Sequence, residues 1–562
     1  MEEAEDVGAN ILAGITGGGK PYSYQEEAWR EIASVLSEGR GAVFIRAPCG
    51  SGKTEAVIIP FMAQYATEKV FYPKMIYATP TQTLLYNMRD RIGRAISVLG
   101  EKLKGVLAPE PEHGFHTNPT YLIPRVSITT YDVIAYAWVC RRTIPYRPFT
   151  TRGALLSSFI VFDEAHLLQD KHAYSQRIFP TLVASLVESG APVAVISATL
   201  PTELIRKVRE EIGDGRVREI SFSEADRRRL RTGSLRVNRG FLSEPRVELE
   251  RALGIIEERV SSALSEGKDV LIVVNSVKVA FLIYEDLART FKGSLFEALS
   301  VKEAVGLVRK GNSIIMLLHG RLPIRIRKER EGVFERLKEY KRELARRGEP
   351  KTWSLIIVAT QVAEVGVNYS FDVVITELAP LSALIQRFMR GGREEKQKSE
   401  AIVIPPIKLT TRGAIPTNLI YPASLLALSR EWLEKTNIDK EYLLDVKRVT
   451  EIVDREYSII EQEAGEEKWV ENLVTLMQRI SKTAQHISPL ITRLQMKVLE
   501  RYRLRLGEYL AISYLEDVNR IAGKKKTSDS VAEAFRNILR AVSYTHLRAH
   551  ETSLHLVCRL LL

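Results

Sequence analysis

Short, uninterrupted apolar runs alternate with amphipathic stretches through most of the chain. Residues 42–45, 75–78, 126–130, 159–162, 193–197 and 219–222 form a first series, rich in Val, Ile and Phe and bounded by polar or turn residues. Runs this short, with little polar alternation, predict strands buried on both faces. Helical patterns lie between most of them, starting with the amphipathic stretch opened by Pro21-Tyr22-Ser23-Tyr24-Gln25. Strands separated by helices predict a parallel sheet covered on both sides, the α/β class. The stretch Asp226-Arg227-Arg228-Arg229-Leu230-Arg231-Thr232-Gly233 is charged, aperiodic and closed by glycine, and reads as a linker over 226–245. The alternation restarts at 270–274, 314–318, 355–359, 373–377 and 401–404. A second α/β domain is therefore expected over 246–410, after a first over 21–225, with a helical C-terminal domain over 411–542. Residues 1–20 end in Thr16-Gly17-Gly18-Gly19-Lys20 and read as a flexible lead-in.

The length of 562 residues fits this count of about three domains. No apolar run approaches the roughly 20 residues needed to span a bilayer. The acidic start Met1-Glu2-Glu3-Ala4-Glu5-Asp6 lacks the layout of a secretory signal. Three cysteines without paired spacing argue against a disulfide framework or a zinc cluster, so a cytoplasmic location with no membrane partner is the simplest expectation. The net charge of +12 is compatible with a polyanionic partner. A bias towards Arg, Lys and Glu leans towards a thermophilic source. The closing residues 543–562, with Ser543-Tyr544-Thr545-His546-Leu547-Arg548-Ala549-His550, resemble a translated sequencing adapter and are expected to be a non-native tail.

Candidate chemistry begins at Ala47-Pro48-Cys49-Gly50-Ser51-Gly52-Lys53-Thr54, between a buried strand and a helical pattern. That is the context of a phosphate-binding loop. Backbone N–H groups of Cys49, Gly50, Ser51 and Gly52 and the following helix N-terminus would surround the phosphates of a nucleotide. Lys53 would neutralise phosphate charge and the Thr54 hydroxyl would ligate Mg²⁺. Ala47 stands where the strict pattern has glycine. Downstream, Val161-Phe162-Asp163-Glu164-Ala165-His166 closes another strand with two acids. Asp163 suits the Mg²⁺ shell, and Glu164 suits orienting and deprotonating a water. Ser197-Ala198-Thr199 ends the next strand with two hydroxyls.

Phosphate loop, Asp-Glu-Ala-His and Ser-Ala-Thr, in that order, resemble the superfamily 2 helicases. The resemblance implies two tandem RecA-like domains, with His166, Ser197 and Thr199 coupling the ATP site to a nucleic-acid groove. It makes Gln25 the adenine reader, and it matches Thr79-Pro80-Thr81-Gln82-Thr83 and Thr129-Thr130-Tyr131-Asp132 to strand-gripping motifs. Thr81, Gln82, Thr130 and Asp132 are then nucleic-acid contacts, although a helix N-cap explains either motif equally well. In the second domain, Thr360-Gln361-Val362-Ala363-Glu364-Val365-Gly366-Val367-Asn368 resembles the fifth motif, giving Thr360 to the strand and Gly366 to the nucleotide. Gln386-Arg387-Phe388-Met389-Arg390-Gly391-Gly392-Arg393 resembles the sixth, with Gln386 catalytic and Arg390 and Arg393 as arginine fingers. Met389 replaces the usual glycine.

The tract Thr376-Glu377-Leu378-Ala379-Pro380-Leu381 leading into Gln386-Arg387, with Leu317-Leu318-His319-Gly320-Arg321 before a basic run that includes Arg325 and Lys328, is most similar to the helicase of type I CRISPR systems. Arg321 is a nucleic-acid contact by the same resemblance. That family joins its helicase to a metal-dependent nuclease with a His-Asp motif, and no His-Asp pair occurs in this sequence. The chain thus resembles the stand-alone helicase subunit, working with a separate HD nuclease and an RNA-guided surveillance complex and moving 3′ to 5′ on single-stranded DNA. A generic superfamily 2 helicase acting on RNA or in DNA repair, and an ATP-gated remodelling subunit that never unwinds, remain the alternatives.

Overall fold

The computed structural model describes residues 2–113, 120–139, 150–165, 174–298, 300–322, 324–367, 369–408, 420–463, 470–472, 474–475 and 477–478. They divide into two compact units, one of residues up to 47, 52–222 and 463–478, the other of 48–51 and 223–462.

The first unit is a seven-stranded, wholly parallel sheet of β1 (Ala42–Arg46), β2 (Lys74–Thr79), β3 (Pro109–Pro111), β4 (Val126–Thr130), β5 (Ser158–Asp163), β6 (Val193–Ser197) and β7 (Val217–Ser221). Their order is β3-β4-β2-β5-β6-β1-β7. Helices α1 (Glu2–Thr16), α2 (Ser23–Glu38), α3 (Lys53–Ala66), α4 (Gln82–Ile96), α5 (Glu101–Val106), α6 (Tyr131–Trp138), α7 (Thr150–Leu156), α8 (Tyr174–Glu188) and α9 (Thr202–Ile212) accompany it. Every residue of β1, β4, β5 and β6 is buried, which is why these strands read as unbroken apolar runs. Each buried Val, Ile or Phe side chain contributes about 1.5–3 kcal/mol. Val470 and Met477 return to this unit and join its core, and Ser185 Oγ donates to the Met477 carbonyl at 3.4 Å.

The N-terminus differs from expectation. Residues 2–16 are helical rather than a flexible lead-in, and Ile11 and Leu12 are buried as α1 packs on α2 and α3. Val7, Ile11, Leu12 and Ile15 recur at helical spacing, and the glycines that suggested flexibility come only after the helix ends, with Gly17 and Gly18 at φ 74° and 103°.

The second unit begins with α10 (Glu224–Arg229), capped by Ser223, and β8 (Ser234–Asn238). It continues through β9 (Val247–Glu248), α11 (Leu249–Ser265), β10 (Val270–Val273), α12 (Val277–Thr290), β11 (Leu295–Glu297), α13 (Val301–Arg309), β12 (Ser313–Leu318) and α14 (Ile324–Arg347). Then come β13 (Leu355–Ala359), α15 (Val362–Gly366), β14 (Val373–Glu377), α16 (Leu381–Phe388), β15 (Lys398–Ile404) and β16 (Ile407–Lys408). Seven of these strands form a second parallel sheet, ordered β11-β12-β13-β10-β14-β15-β8, while β9 and β16 pair separately. The expected linker over 226–245 is therefore structured, and β8 is the sheet's edge strand. An edge strand is half covered, so Leu235 is buried between exposed Ser234 and Arg236, and the continuous apolar signal is missing.

Three helices close the described part of this unit, α17 (Ala423–Lys435), α18 (Lys440–Leu444) and α19 (Val446–Glu463). Most of the rest of the expected helical domain, and the tail from 543, lie outside the described residues. Among the described residues, no helix is long and apolar enough to cross a membrane.

Candidate nucleotide site

Three neighbouring strands of the first sheet, β5, β6 and β1, end at one edge, with Asp163 beside Ile196 and Arg46 beside Ser197 in register. Parallel α/β sheets bind ligands at this edge. The loop after β1 bends through Gly50 and Gly52 at φ 85° and 87° before α3 starts at Lys53. Ser51 Oγ closes the loop on the Pro48 carbonyl at 2.8 Å, and Lys53 Nζ reaches back to the Ala47 carbonyl at 3.0 Å. The Ala47 N–H donates to the Ser197 carbonyl at 3.2 Å, so the loop is tied directly to the Ser-Ala-Thr strand end. Cys49 is half-buried, and Gln25 is buried on the loop with its Nε2 donating to the Gly52 carbonyl at 3.0 Å. A Cβ at Gly52 would stand 2.6 Å from that nitrogen.

Thr54 and Asp163 meet around one phenol. Tyr77 OH, projecting from β2, donates to Asp163 Oδ2 at 2.7 Å and also bonds the Thr54 side chain. Tyr131 OH donates to the Asp163 carbonyl at 2.6 Å. A hydroxyl and a carboxylate gathered this way fit Mg²⁺, which takes one or two protein oxygens and leaves the rest of its shell to water and phosphate. Burial, and then the neighbouring Glu164 charge, raise the Asp163 carboxyl above its ordinary range, while Tyr77, Lys53 and Arg91 pull it down. A cation here would relieve that repulsion. Glu164 holds φ 56°, a conformation that costs a non-glycine residue roughly 1–2 kcal/mol and persists where its surroundings impose it. His166 lies outside the described residues. Ser197 Oγ accepts from the Thr199 N–H at 3.1 Å, and both residues are fully buried.

Sequence reasoning missed three groups at this edge. Tyr77 is hidden inside an apolar strand. Arg46 spans from the Leu200 carbonyl at 3.0 Å to Glu219 at 2.8 Å. Arg91 forks onto Glu55, the residue after Thr54, with two contacts of 2.8 Å. Only the acid directly after Lys-Thr hinted at the last of these.

Thr81 and Thr130 are the N-cap residues of α4 and α6, yet neither hydroxyl makes a capping bond. Thr130 Oγ1 is buried with no hydrogen-bond partner among the described residues, and Asp132 is buried in the first turn of α6. The Gln82 side chain lies outside what is described.

In the second unit, Asn275, Thr360 and Glu377 follow or end the adjacent strands β10, β13 and β14. Thr360 is buried, its N–H on the Leu318 carbonyl at 3.2 Å, while Arg321 is exposed with its N–H on His319 Nδ1. Arg387 is fully buried and bonds Glu364 Oε1 at 2.9 and 2.8 Å, Thr376 Oγ1 at 3.0 Å, the Glu377 carbonyl at 3.1 Å and Asn275 Oδ1 at 3.0 Å. Gln361 Nε2 bridges the Asn275 carbonyl at 3.1 Å and Tyr421 OH at 3.2 Å. Gln386 is buried on α16. Arg390 is buried and donates to the carbonyls of Val367 and Glu364, which flank Gly366. Arg393 Nε donates to the Met389 carbonyl at 2.7 Å. Met389 has φ −68° and ψ −1°, an ordinary right-handed conformation in which glycine is unnecessary. Asn368 lies outside the described residues.

Two family models match this arrangement, DEAD/DEAH box helicase over residues 22–208 and the C-terminal part of CRISPR-associated nuclease/helicase Cas3 over 266–396. The CRISPR-associated helicase Cas3 of Thermoproteus tenax is 27% identical over 459 residues, covering 79% of this chain and 67% of that protein. T. fusca Cas3-AMPPNP has the same fold at a TM-score of 0.58 and 19% identity, covering 86% of this chain and 57% of that one. A chain in a CRISPR RNA-guided surveillance complex, pre-nicking, is similar at a TM-score of 0.50 and 18% identity, over 83% of this chain and 54% of its own. The chain thus spans between about half and two thirds of these relatives. The two units, each bearing one matched module, make the chain similar to the Cas3-like helicases.

Proposed function

We propose that the chain is an ATP-driven motor that moves 3′ to 5′ along single-stranded DNA in CRISPR interference. The supporting observation is the convergence of Lys53, Thr54, Asp163 and Glu164 at adjacent strand ends, tied by backbone to Ser197. Lys53, Thr54 and Asp163 hold the phosphates and Mg²⁺, and Gln25 fixes the base side of the loop. Bound Mg²⁺ would offset phosphate charge. Glu164 takes the proton of the attacking water, a role worth about 10²–10⁴ in rate. Arg390 and Arg393 neutralise charge on the transferring phosphoryl group. Thr81, Gln82, Thr130, Asp132, Arg321 and Thr360 grip the strand, and Ser197 and Thr199 relay the nucleotide state to them. The names of the relatives support a nuclease and an RNA-guided surveillance complex as partners. Because no His-Asp pair occurs in these residues, cleavage is assigned to a nuclease outside them.

The test is ATP hydrolysis with and without single-stranded DNA. Stimulation by DNA, abolished in Lys53→Ala and Glu164→Gln, is the expected result. Stimulation that survives both substitutions refutes the mechanism, and a clear preference for RNA over DNA in competition refutes the substrate.

A further inference from the structure

The segment bearing Arg390 and Arg393 begins with a helix that lacks a cap of its own. The N-cap residue of α16 is Pro380, which has no side chain able to accept from the first N–H groups. Those groups are nevertheless satisfied, by Glu456, which lies far along the chain on α19. Its Oε2 accepts from the Ser382 N–H and its Oε1 from the Ser382 hydroxyl, each at 2.8 Å, and the Leu381 N–H donates to it as well. At the other end, Lys440 at the start of α18 donates from Nζ to the Gly391 carbonyl at 2.7 Å. Both side chains are buried, the carboxyl at the start of α16 and the amine just beyond its end. Phe388 stacks on Trp432 of α17 at 6.4 Å between ring centres, so the three helices hold the segment at its start, middle and end.

We propose that Glu456 and Lys440 are positioning residues for ATP hydrolysis, together fixing the segment 381–393 and with it Arg390 and Arg393. This rests on the functional reading above. Neither residue needs to touch the nucleotide. A misplacement of about 1 Å in such a charge-neutralising group costs roughly 10²-fold in rate.

The experiment compares Glu456→Gln and Lys440→Met with wild type in DNA-stimulated hydrolysis, measuring kcat and the KM for ATP separately alongside thermal unfolding. Ser429→Ala serves as control, because Ser429 is buried in the same helical region and its hydroxyl bonds, among the described residues, only the Leu425 carbonyl within α17. The expected result is a fall in kcat of at least about tenfold with KM within about threefold, while Ser429→Ala keeps wild-type kcat. Ser382→Ala, which removes one of the bonds to Glu456, falls in between and carries the same test if Glu456→Gln does not fold. Unchanged kcat in folded Glu456→Gln and Lys440→Met overturns the inference while leaving the motor intact. An equal fall in Ser429→Ala at equal loss of stability also overturns it, by making the effect merely structural. Absence of hydrolysis in wild type defeats the functional reading, and the inference falls with it.

Discussion

Glu364→Ala should destabilise the second unit, independently of any catalytic role of this region. The substitution leaves the Arg387 guanidinium, which has no solvent exposure, without the one carboxylate it bonds among the described residues. Removing one partner of a buried ion pair costs about 3–5 kcal/mol. Arg387 keeps Thr376 Oγ1, the Glu377 carbonyl and Asn275 Oδ1, three neutral acceptors that place the loss at the lower end. At about 2–4 °C per kcal/mol for a domain of this size, a loss of about 3 kcal/mol lowers Tm by about 6–12 °C. Differential scanning calorimetry of the nucleotide-free protein resolves a shift of that size. Glu364→Gln keeps an acceptor and loses only the charge, so its cost is smaller, about 1–2 kcal/mol. The double variant Glu364→Leu with Arg387→Met removes both charges at once and should recover most of the loss, because apolar replacement of a buried pair is commonly neutral. A Glu364→Ala transition indistinguishable from wild type, or a double variant less stable than the single, would refute the reasoning.

Three other outcomes follow from the geometry. Gly52→Ala forces a side chain into φ 87° and sets its Cβ 2.6 Å from Gln25 Nε2; it should cost roughly 1–2 kcal/mol of stability and weaken nucleotide binding at least about tenfold, read by titration with a fluorescent nucleotide. Tyr77→Phe removes a buried donor from Asp163, costing about 1–3 kcal/mol, and should raise the Mg²⁺ concentration needed for half-maximal hydrolysis; an unchanged Mg²⁺ titration counts against a metal role for Asp163. Glu456, raised to about 7 by burial, with Glu364 adding and the Leu381 and Ser382 donors opposing, holds its proton in the folded state after the unfolded chain has lost it near pH 4.5. Its contribution to stability therefore falls as pH rises from about 4.5 to about 7 and is level above; the difference between wild type and Glu456→Gln in urea denaturation across that window should show this slope, and a flat difference excludes it.

What the residues disclosed follows from how each element is buried. Strands such as 193–197 were plain because both faces are covered and every position is apolar or small. β8 was hidden because an edge strand buries one face, and the arginines preceding it look like a linker. α1 was hidden by the glycines after it. At the site, Lys53, Thr54, Asp163 and Glu164 stand in local patterns whose spacing is set by strand-to-loop geometry. Tyr77, Arg91 and Glu456 act through contacts 86, 36 and 74 residues away, and no local pattern encodes such distances. Arg387 stood in a recognised motif, yet its complete burial on Glu364 and Asn275 depends on which strands become neighbours.

The return of Val470 and Met477 to the first core has a consequence for the order of events during synthesis. The ribosome delivers the seventh strand of the first sheet by Ser221, but Val470 and Met477, which cover part of that core, do not yet exist. Roughly 250 further residues must be made, which at about 5–20 residues per second leaves an apolar patch open for tens of seconds. The nucleotide-binding unit, although begun first, is among the last parts to be finished, and the second unit folds while its neighbour is still waiting.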